Sequence, residues 1–498
     1  MFFTSLSLAR AQSILYNRFD VLNHQSNTDL DSNRIAFSRS IQYQQDDAGD
    51  YFSVLAIYSH SSYNSEFAQG FNDGYLWQGR GFNQSFSFGI QGRAGNFEYT
   101  LAPVINYNQN RSYDLRSNYG SNALYQNRFT RSIDYVMQYG NESNLEFYLG
   151  QSEIAYSIRN IRTSLSTQNT IWGPGIFNQG LMSNNANGFP YLQIGSEKPW
   201  QTRAGKIEIQ WVFGTTKESD YLNNDPSDDY AVFNGFVFGY QPSFFPGLSV
   251  SLQRSYQQLN KDRENALDYF SLFTDFLRTS QTNSEGTVTE SADQMVSFGL
   301  DWRSKNDDFK VYLEWIRGDF ASDIMDLLAQ PEHNGGFIWG FAKKIKLQNE
   351  GSIRFVFENA NLAVWETARL RSSGSLYQHG KVTKGYTNNG QVLGAAIGPG
   401  SSFHSINIAY TKGKRTINFE YFRTRYNDDI FYLTLFDQIG NYQDIQHYVG
   451  IHWKDQIGML EYQVGGAIGM RDDYLFTPDD FRINLHPQMI LRYHIGGN

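Results

Sequence analysis

The feature that most constrains this chain is the rhythm of its connections: segments with a two-residue hydrophobic period are joined alternately by tight turns and by long loops. Ile207, Ile209, Trp211 and Phe213 alternate with Lys206, Glu208, Gln210 and Val212. Phe309, Val311, Leu313 and Trp315 alternate in the same way with Lys310, Tyr312, Glu314 and Ile316, and Ile353, Phe355 and Phe357 with Arg354, Val356 and Glu358. Leu460, Tyr462, Val464 and Ile468 share a face that Glu461 and Gln463 avoid. Successive side chains of a strand point to opposite faces, so each of these segments has one apolar and one largely polar face. Short turns join 83–92 to 96–107, 231–241 to 247–257, 294–303 to 309–318, 337–347 to 351–360, 404–411 to 415–426 and 445–453 to 459–470. Between the hairpins lie the connections 108–130, 258–293, 319–336, 361–403, 427–444 and 471–486. Membrane barrels sort their connections in this way, with short turns in the periplasm and long loops outside. A soluble sandwich gives no reason for such sorting.

Composition supports the same reading. Aromatic residues make up 16% of the chain (Phe 38, Tyr 33, Trp 9) and charged residues 18%, against roughly 25% charged in an ordinary soluble domain. The mean hydropathy is nevertheless −0.51, and no apolar run reaches the roughly 18 residues of a membrane helix. Strands that show lipid only every second side chain reconcile these facts. Only 11 prolines occur, as expected where each backbone N–H is needed in a ladder. There are no cysteines, so disulfides, thiolate metal sites and cysteine nucleophiles are excluded. A net charge of −9 without a polybasic stretch argues against nucleic acid as a partner.

The expected fold is therefore all-β: a transmembrane antiparallel barrel of about 18 strands, occupying residues 12–498 as a single domain. Ser5 to Ala11, with Ala9-Arg10-Ala11 ahead of Gln12, reads as the remnant of a signal peptide over residues 1–11. Short helices are expected in the outer loops, over Asn260 to Ser280, where Ala266, Phe270, Phe273 and Leu277 recur at helical spacing, and over Ser322 to Ala329. Strand parity sets one further condition. With the strands near 145–157 and at 204–214 both running outward, the segment 158–203 must cross back. It contains Ile171-Trp172-Gly173-Pro174-Gly175 and Phe189-Pro190, which suit no regular strand. Irregular backbone at membrane depth is tolerated only when buried in protein or lining a wet cavity. Part of 158–203 is thus expected to fold into the lumen as a plug, with 361–403 as a long outer loop.

The common catalytic motifs are missing: no Gly-x-Ser-x-Gly, no His-Glu-x-x-His and no phosphate loop. Acid pairs such as Glu314 with Asp319, or Asp428 with Asp429, are better explained by solvation among 50 acidic residues than by hydrolysis. The loop Asn223 to Asp229 offers oxygen ligands for calcium but lacks the glycine and terminal glutamate of an EF-hand, so a solvated polar turn is the preferred reading. Two segments stand apart. Trp172 to Ala186, followed by Gly188-Phe189-Pro190, combines an indole, amides and turn-forming glycines. That chemistry suits either a sugar, through stacking and hydrogen bonding, or a tightly folded structural plug. The second segment is Tyr377-Gln378-His379-Gly380 with Gly385 to Gly400, in the long outer connection.

These two segments, together with Asp293-Gln294, Glu314 with Asp319, and Pro331-Glu332-His333 before a glycine-rich strand, resemble the Wzi-type capsule assembly family of outer-membrane proteins, in the form common in Bacteroidetes. The ordered set spans roughly 160–410, and the strand pattern extends it over most of the chain. The resemblance implies an integral barrel of the Gram-negative outer membrane that binds capsular or other exopolysaccharide as a lectin and helps assemble or retain it at the cell surface. It implies no enzymatic activity and no cofactor. The partners it suggests are the polysaccharide and outer-membrane lipid, with the chain a monomer able to associate with other surface or export proteins. The residues singled out for polysaccharide are Trp172, Asn184, Asn185, Glu314, Glu332, His333, His379 and Tyr386, with no metal site. The alternative is a diffusion channel or transporter for sugars or other small solutes, which requires an open lumen. Two departures from the family stand out: Asn388-Asn389 follow Gly385-Tyr386-Thr387, where a histidine or arginine is expected, and the chain ends Tyr493-His494-Ile495-Gly496-Gly497-Asn498 without a final aromatic residue.

Overall fold

The computed structural model describes residues 14–27, 35–39, 49–115, 125–127, 130, 132–262, 292–304, 306–318, 329–348, 350–365, 374–432 and 442–495. The expected signal remnant lies outside these residues. So do the two expected loop helices, apart from a single helical turn at Asn260–Asp262 and residue 329.

Eighteen antiparallel crossings form the wall. They are β1 (Tyr51–Val54 and Ile57–Asn64), β2 (Gly81–Ser87 and Ile90–Ala94), β3 (Phe97–Leu101 and Val104–Asn108), β4 (Asn144–Tyr148 and Glu153–Ile158), β5 (Ile161–Ser166) and β6 (Tyr191–Ser196 and Trp200–Gln201). Longer strands follow: β7 (Gly205–Lys217), β8 (Tyr230–Pro242), β9 (Leu248–Leu259), β10 (Ala292–Ser304), β11 (Phe309–Gly318) and β12 (Gly335–Lys346). The last six are β13 (Gly351–Asn361), β14 (Ser402–Lys412), β15 (Arg415–Arg425), β16 (Ile445–Ile457), β17 (Leu460–Asp472) and β18 (Arg482–Tyr493). Each pairs with its neighbour in sequence, and β18 returns to β1 with Met489 opposite Ser61, so the sheet closes. Closure removes the unpaired strand edges that lipid cannot solvate.

The two-residue period sets which side chains meet lipid. On β11, Val311 and Leu313 are exposed outward, while Lys310, Tyr312, Glu314 and Ile316 are buried inward. The same split places Glu208, Gln210 and Val212 of β7 and Val356 and Glu358 of β13 inside. Leu145, Phe147, Ile154, Ile451, Val464 and Leu485 contribute to the apolar outer belt.

The structure corrects one expectation about direction. The strand near 145–157 does not run outward. Residues 132–140 form no strand, so β4 is the inward partner of β3, and the chain reverses at Arg159-Asn160, both with positive φ (48° and 66°). This turn contains neither glycine nor proline; asparagine tolerates the left-handed region better than most residues, and the usual sequence punctuation is missing. β5 then runs outward, residues 167–190 fold inside the barrel, and β6 returns. The segment 158–203 therefore crosses the wall twice, with the irregular portion inside as expected.

Several pieces of the described chain fill the lumen, among them residues 35–39, where Phe37–Arg39 pairs with Thr170–Trp172, and three longer ones. Near the periplasmic end sits α1 (Arg18–Gln25), capped by the Asn17 side chain, which accepts from the backbone N–H of Phe19 and Asp20. It is tied to inner strand ends by Lys310 Nζ to the Gln25 carbonyl (2.9 Å), Arg354 to Asn23 (2.8 Å) and Arg492 to Asp20 (2.6 Å). Residues 167–190 occupy the middle. Residues 374–400 cover the outer part: Tyr377 Oη donates to the Gly180 carbonyl (2.8 Å) and Ser183 Oγ to the Gly394 carbonyl (2.6 Å). One apolar core runs through the lumen, including Trp172, Phe177, Leu181, Phe189, Phe233, Tyr386, Phe403 and Phe422.

Candidate functional site

The middle plug is held by carboxylates of the wall. Thr170–Trp172 pair with Phe37–Arg39, but the glycine-rich stretch that follows forms no ladder, so its backbone N–H groups need other acceptors at membrane depth. Glu358 of β13 accepts from the backbone N–H of Ile176 (2.7 Å), Phe177 (3.0 Å) and Asn178 (2.8 Å), and from Tyr312 Oη (2.7 Å). Glu314 of β11 accepts from Ser297 Oγ (2.6 Å) and the Gly180 N–H (3.1 Å). A Cβ at Gly180 would lie 2.7 Å from that Glu314 oxygen, so only glycine permits the approach. Glu208 of β7 accepts from the Ile35 and Ala36 N–H groups, both at 3.0 Å. Lys310 reaches the Pro174 carbonyl (3.0 Å) and Asp301 (3.2 Å). Under α1, Arg18 pairs with Glu420 (2.7 Å), which also contacts His452 (3.0 Å). A buried charge is costly unless paired and hydrogen-bonded, and these groups bond to one another and to the plug.

This network accounts for several residues that the sequence nominated. Trp172 is fully buried, donates through Nε1 to Gln210 (2.7 Å) and packs on Phe233. Gly235 lies against its ring, where a Cβ would collide with the indole. Asn184 is fully buried and donates to the Asn72 carbonyl (2.9 Å). Tyr386 stacks on Tyr377, with ring centres 5.9 Å apart. Together with Glu314, these residues converge on the plug and its cover. Asn185 donates to the Val392 carbonyl (2.9 Å) and lines an internal cavity of about 170 Å³. His379 Nδ1 accepts from the Val382 N–H (3.0 Å), closing a turn of the outer loop. Glu332 and His333 lie apart from the plug, in the half-buried turn leading into β12.

The outer loops gather charge of their own. Glu218, Asp228 and Asp229 bring carboxylate oxygens within 4.8 Å of one another. Glu218 joins the acidic loop considered for calcium, although it precedes that loop in sequence. Lys261 Nζ stands 3.0 Å from Asp228, so a lysine already supplies positive charge at this cluster. Burial pushes the Glu218 carboxyl up to about 8, helped by the nearby Asp134 and Asp228 charges. Burial likewise pulls the Lys384 ammonium down to about 8 against the opposing pull of Asp134 and Glu218. Lys384 donates to the Thr387 carbonyl (2.6 Å).

A cleft of about 380 Å³, with no contiguous signature in the sequence, lies above β3, β4 and β7, bordered by Tyr75, Trp77, Tyr139, Tyr148 and Tyr221 and by several amides. Its rings come from three loops and a strand. The available signal was the Tyr75-Leu76-Trp77-Gln78 run between β1 and β2, which has aromatic residues where a solvated loop needs none.

A closed antiparallel barrel with an apolar outer belt and a lumen occupied through its middle by packed chain defines a plugged, membrane-spanning barrel of the outer-membrane type. The model of the family described as capsule assembly protein Wzi matches residues 66–463, and the chain belongs to that family. Among solved structures, the chain is similar to Wzi of Escherichia coli, described as an outer-membrane protein involved in group 1 capsule assembly and a carbohydrate-binding β-barrel. The identity is 11%, the TM-score is 0.59, and 88% of this chain and 85% of that one are covered. OccAB2 of Acinetobacter baumannii aligns at 10% identity with a TM-score of 0.42, over 89% of this chain and 97% of that one. No curated protein matches the chain in sequence.

Proposed function

We propose that this protein binds capsular or another exopolysaccharide at the outer face of the outer membrane and helps assemble or retain it there, by binding and without turnover. The observation that carries this reading is the filled lumen in a member of the capsule-assembly family. α1, residues 167–190 and residues 374–400 occupy the lumen and are bonded to its wall or to one another, so the filling is a fixed part of the barrel. A diffusion channel needs an open, hydrated path, and the packed aromatic core argues against one. Of the residues named from sequence, Trp172, Asn184, Glu314 and Tyr386 are best read as supports that hold this surface in shape. Asn185, His379, Glu332 and His333 lie nearer to solvent or to cavities.

The test is deletion of the gene in the producing cell, with polymer measured separately on washed cells and in the medium. Total polymer should stay unchanged while the cell-bound fraction falls and the free fraction rises. Polymer that remains fully cell-bound after deletion would overturn the proposal.

A further inference from the structure

The cleft above β3, β4 and β7 has the chemistry of a saccharide subsite. Its aromatic wall is continuous: Trp77 meets Tyr139 edge-on with ring centres 4.8 Å apart, and Tyr139 meets Tyr221 at 5.8 Å and 90°. Across the cleft, Tyr75 packs on Tyr148 at 5.2 Å. The loop carrying Tyr139 is fixed from below, because Asn110 Nδ2 donates to the carbonyls of Tyr139 (2.6 Å), Gly140 (3.0 Å) and Glu142 (2.9 Å). Tyr139 Oη in turn donates to the Asn389 carbonyl (2.5 Å). The wall is thus held in place before any ligand arrives, which lowers the ordering cost of binding.

Beside this wall the polar group is Asn108, at the outer end of β3. It is 1% exposed and lines the cleft, yet neither its carbonyl oxygen nor its amide nitrogen has a hydrogen-bond partner. Its cross-strand neighbour Asn144 also leaves its carbonyl oxygen unpartnered. Gln25, Gln91, Gln257, Asn407 and Asn418 likewise have both amide atoms unpartnered among the described residues, and Asn108 is the one of these that lines the cleft, where a ligand could satisfy it. A sugar hydroxyl both donates and accepts, so it fits an amide with both ends free. Rings nearby offer flat apolar surface to the C–H face of a pyranose. The volume falls within the roughly 300–1,000 Å³ of small-molecule sites.

Charge narrows the ligand. Lys217 at the rim is paired with Asp220 (3.1 Å), and Glu146 adds a further acidic group. The cleft therefore has no surplus positive charge to bind a uronate or phosphate.

We propose that this cleft binds an uncharged segment of the surface polysaccharide, packed against the wall of Trp77, Tyr139 and Tyr221 and hydrogen-bonded by Asn108 and Asn144. The proposal rests on the polysaccharide-binding reading above. Its test uses the full chain in detergent, titrated calorimetrically with oligosaccharides released from the cell's own surface polymer and separated into neutral and acidic fractions. The wild type should bind the neutral fraction more tightly than the acidic one. Tyr221→Ala and Asn108→Ala should each weaken that binding about tenfold or more. Asn108→Ala removes no hydrogen bond of the folded chain, so heat-modifiable migration in gels should stay that of the wild type while affinity falls; a structural role would move both together. Wild-type affinity in both variants, with migration unchanged, overturns the cleft while leaving polysaccharide binding in place. Equal affinity for acidic fractions overturns its preference for neutral sugar. Failure of the wild type to bind any fraction overturns the functional reading and, with it, the cleft.

Discussion

Removal of the Glu358 side chain should unlatch the plug. This carboxyl receives five hydrogen bonds: three from the backbone N–H groups of Ile176, Phe177 and Asn178, one from Asn178 Nδ2 and one from Tyr312 Oη. Every partner donates. In Glu358→Ala, three backbone N–H groups at membrane depth lose their acceptor, and each orphaned group costs about 1–3 kcal/mol. Water entering the new space would recover part of this, so the lower bound of about 3 kcal/mol is the working figure. At 1.4 kcal/mol per decade, the undocked population should rise about a hundredfold or more. The assay is single-channel recording in a planar bilayer, with proteolysis of 167–190 as a second readout. The wild type should stay closed; Glu358→Ala should show frequent openings and faster cleavage, with heat-modifiable migration retained because the ladder bonds of β13 are untouched. Tyr312→Phe removes one donor and leaves the backbone latch intact, so it should remain nearly silent. A Glu358→Ala protein as quiet and protease-resistant as the wild type would refute the assignment of the plug's hold to this carboxyl.

Two further outcomes follow from the same geometry. Trp172→Ala should empty a fully enclosed site and remove one donor to Gln210, costing about 3–5 kcal/mol and lowering the thermal midpoint of the barrel; an unchanged midpoint with lost polymer binding would instead make Trp172 a ligand-facing residue. The sealing of the outer loops should be weakest near pH 8. The Glu218 carboxyl, raised from 4.5 to about 8, holds its proton more tightly when folded, so its stabilisation falls as pH rises through that window. The Lys384 ammonium, lowered from 10.5 to about 8, costs stability below 8 that returns as pH rises toward 10.5. Proteolysis of the outer loops across pH 5 to 10 should therefore peak near 8, and Glu218→Gln should remove the acid-side slope.

The wall was legible because its signal is local. Alternation on β7, β11, β13 and β17 reads directly as lipid-facing and inward residues, and tight turns such as Arg93-Ala94-Gly95 announce themselves through glycine at positive φ. The turn at Arg159-Asn160 uses no such residue, so the sequence hides β5 within 158–203 and inverts the direction of the strand near 145–157. α1 was missed for another reason. Its buried residues Arg18, Phe19, Val21, Leu22 and Gln25 mix polar and apolar character because the helix faces a polar wall, and no apolar stripe forms. The site was less legible still. Trp172 and Glu314 stood out for residue type, but only the closed barrel shows that they face each other's neighbourhoods across the lumen. The cleft is assembled from loops distant in sequence, with Trp77, Tyr139 and Tyr221 meeting only after closure.

The inward polar face has a meaning that alternation alone does not give. A strand with Glu, Lys and Gln on one side suggests a wet lumen, and in an open pore those charges would be left to water and solute. Here they are used by protein. Glu208, Glu314 and Glu358 hold backbone N–H groups of the filling, Lys310 holds its carbonyls, and Glu420 holds Arg18 of α1. On the short strands, Arg162 is enclosed by Glu98, Glu153 and Glu197. A wall whose charges are committed in this way has little left to conduct or select a solute, and each bond also stiffens the loops above it. Such a barrel is suited to presenting a fixed surface under the pull of a long polymer. If the proposed function holds, recognition falls to groups left uncommitted near the outer end of the barrel, and the unpartnered amide of Asn108 lining the aromatic cleft is one.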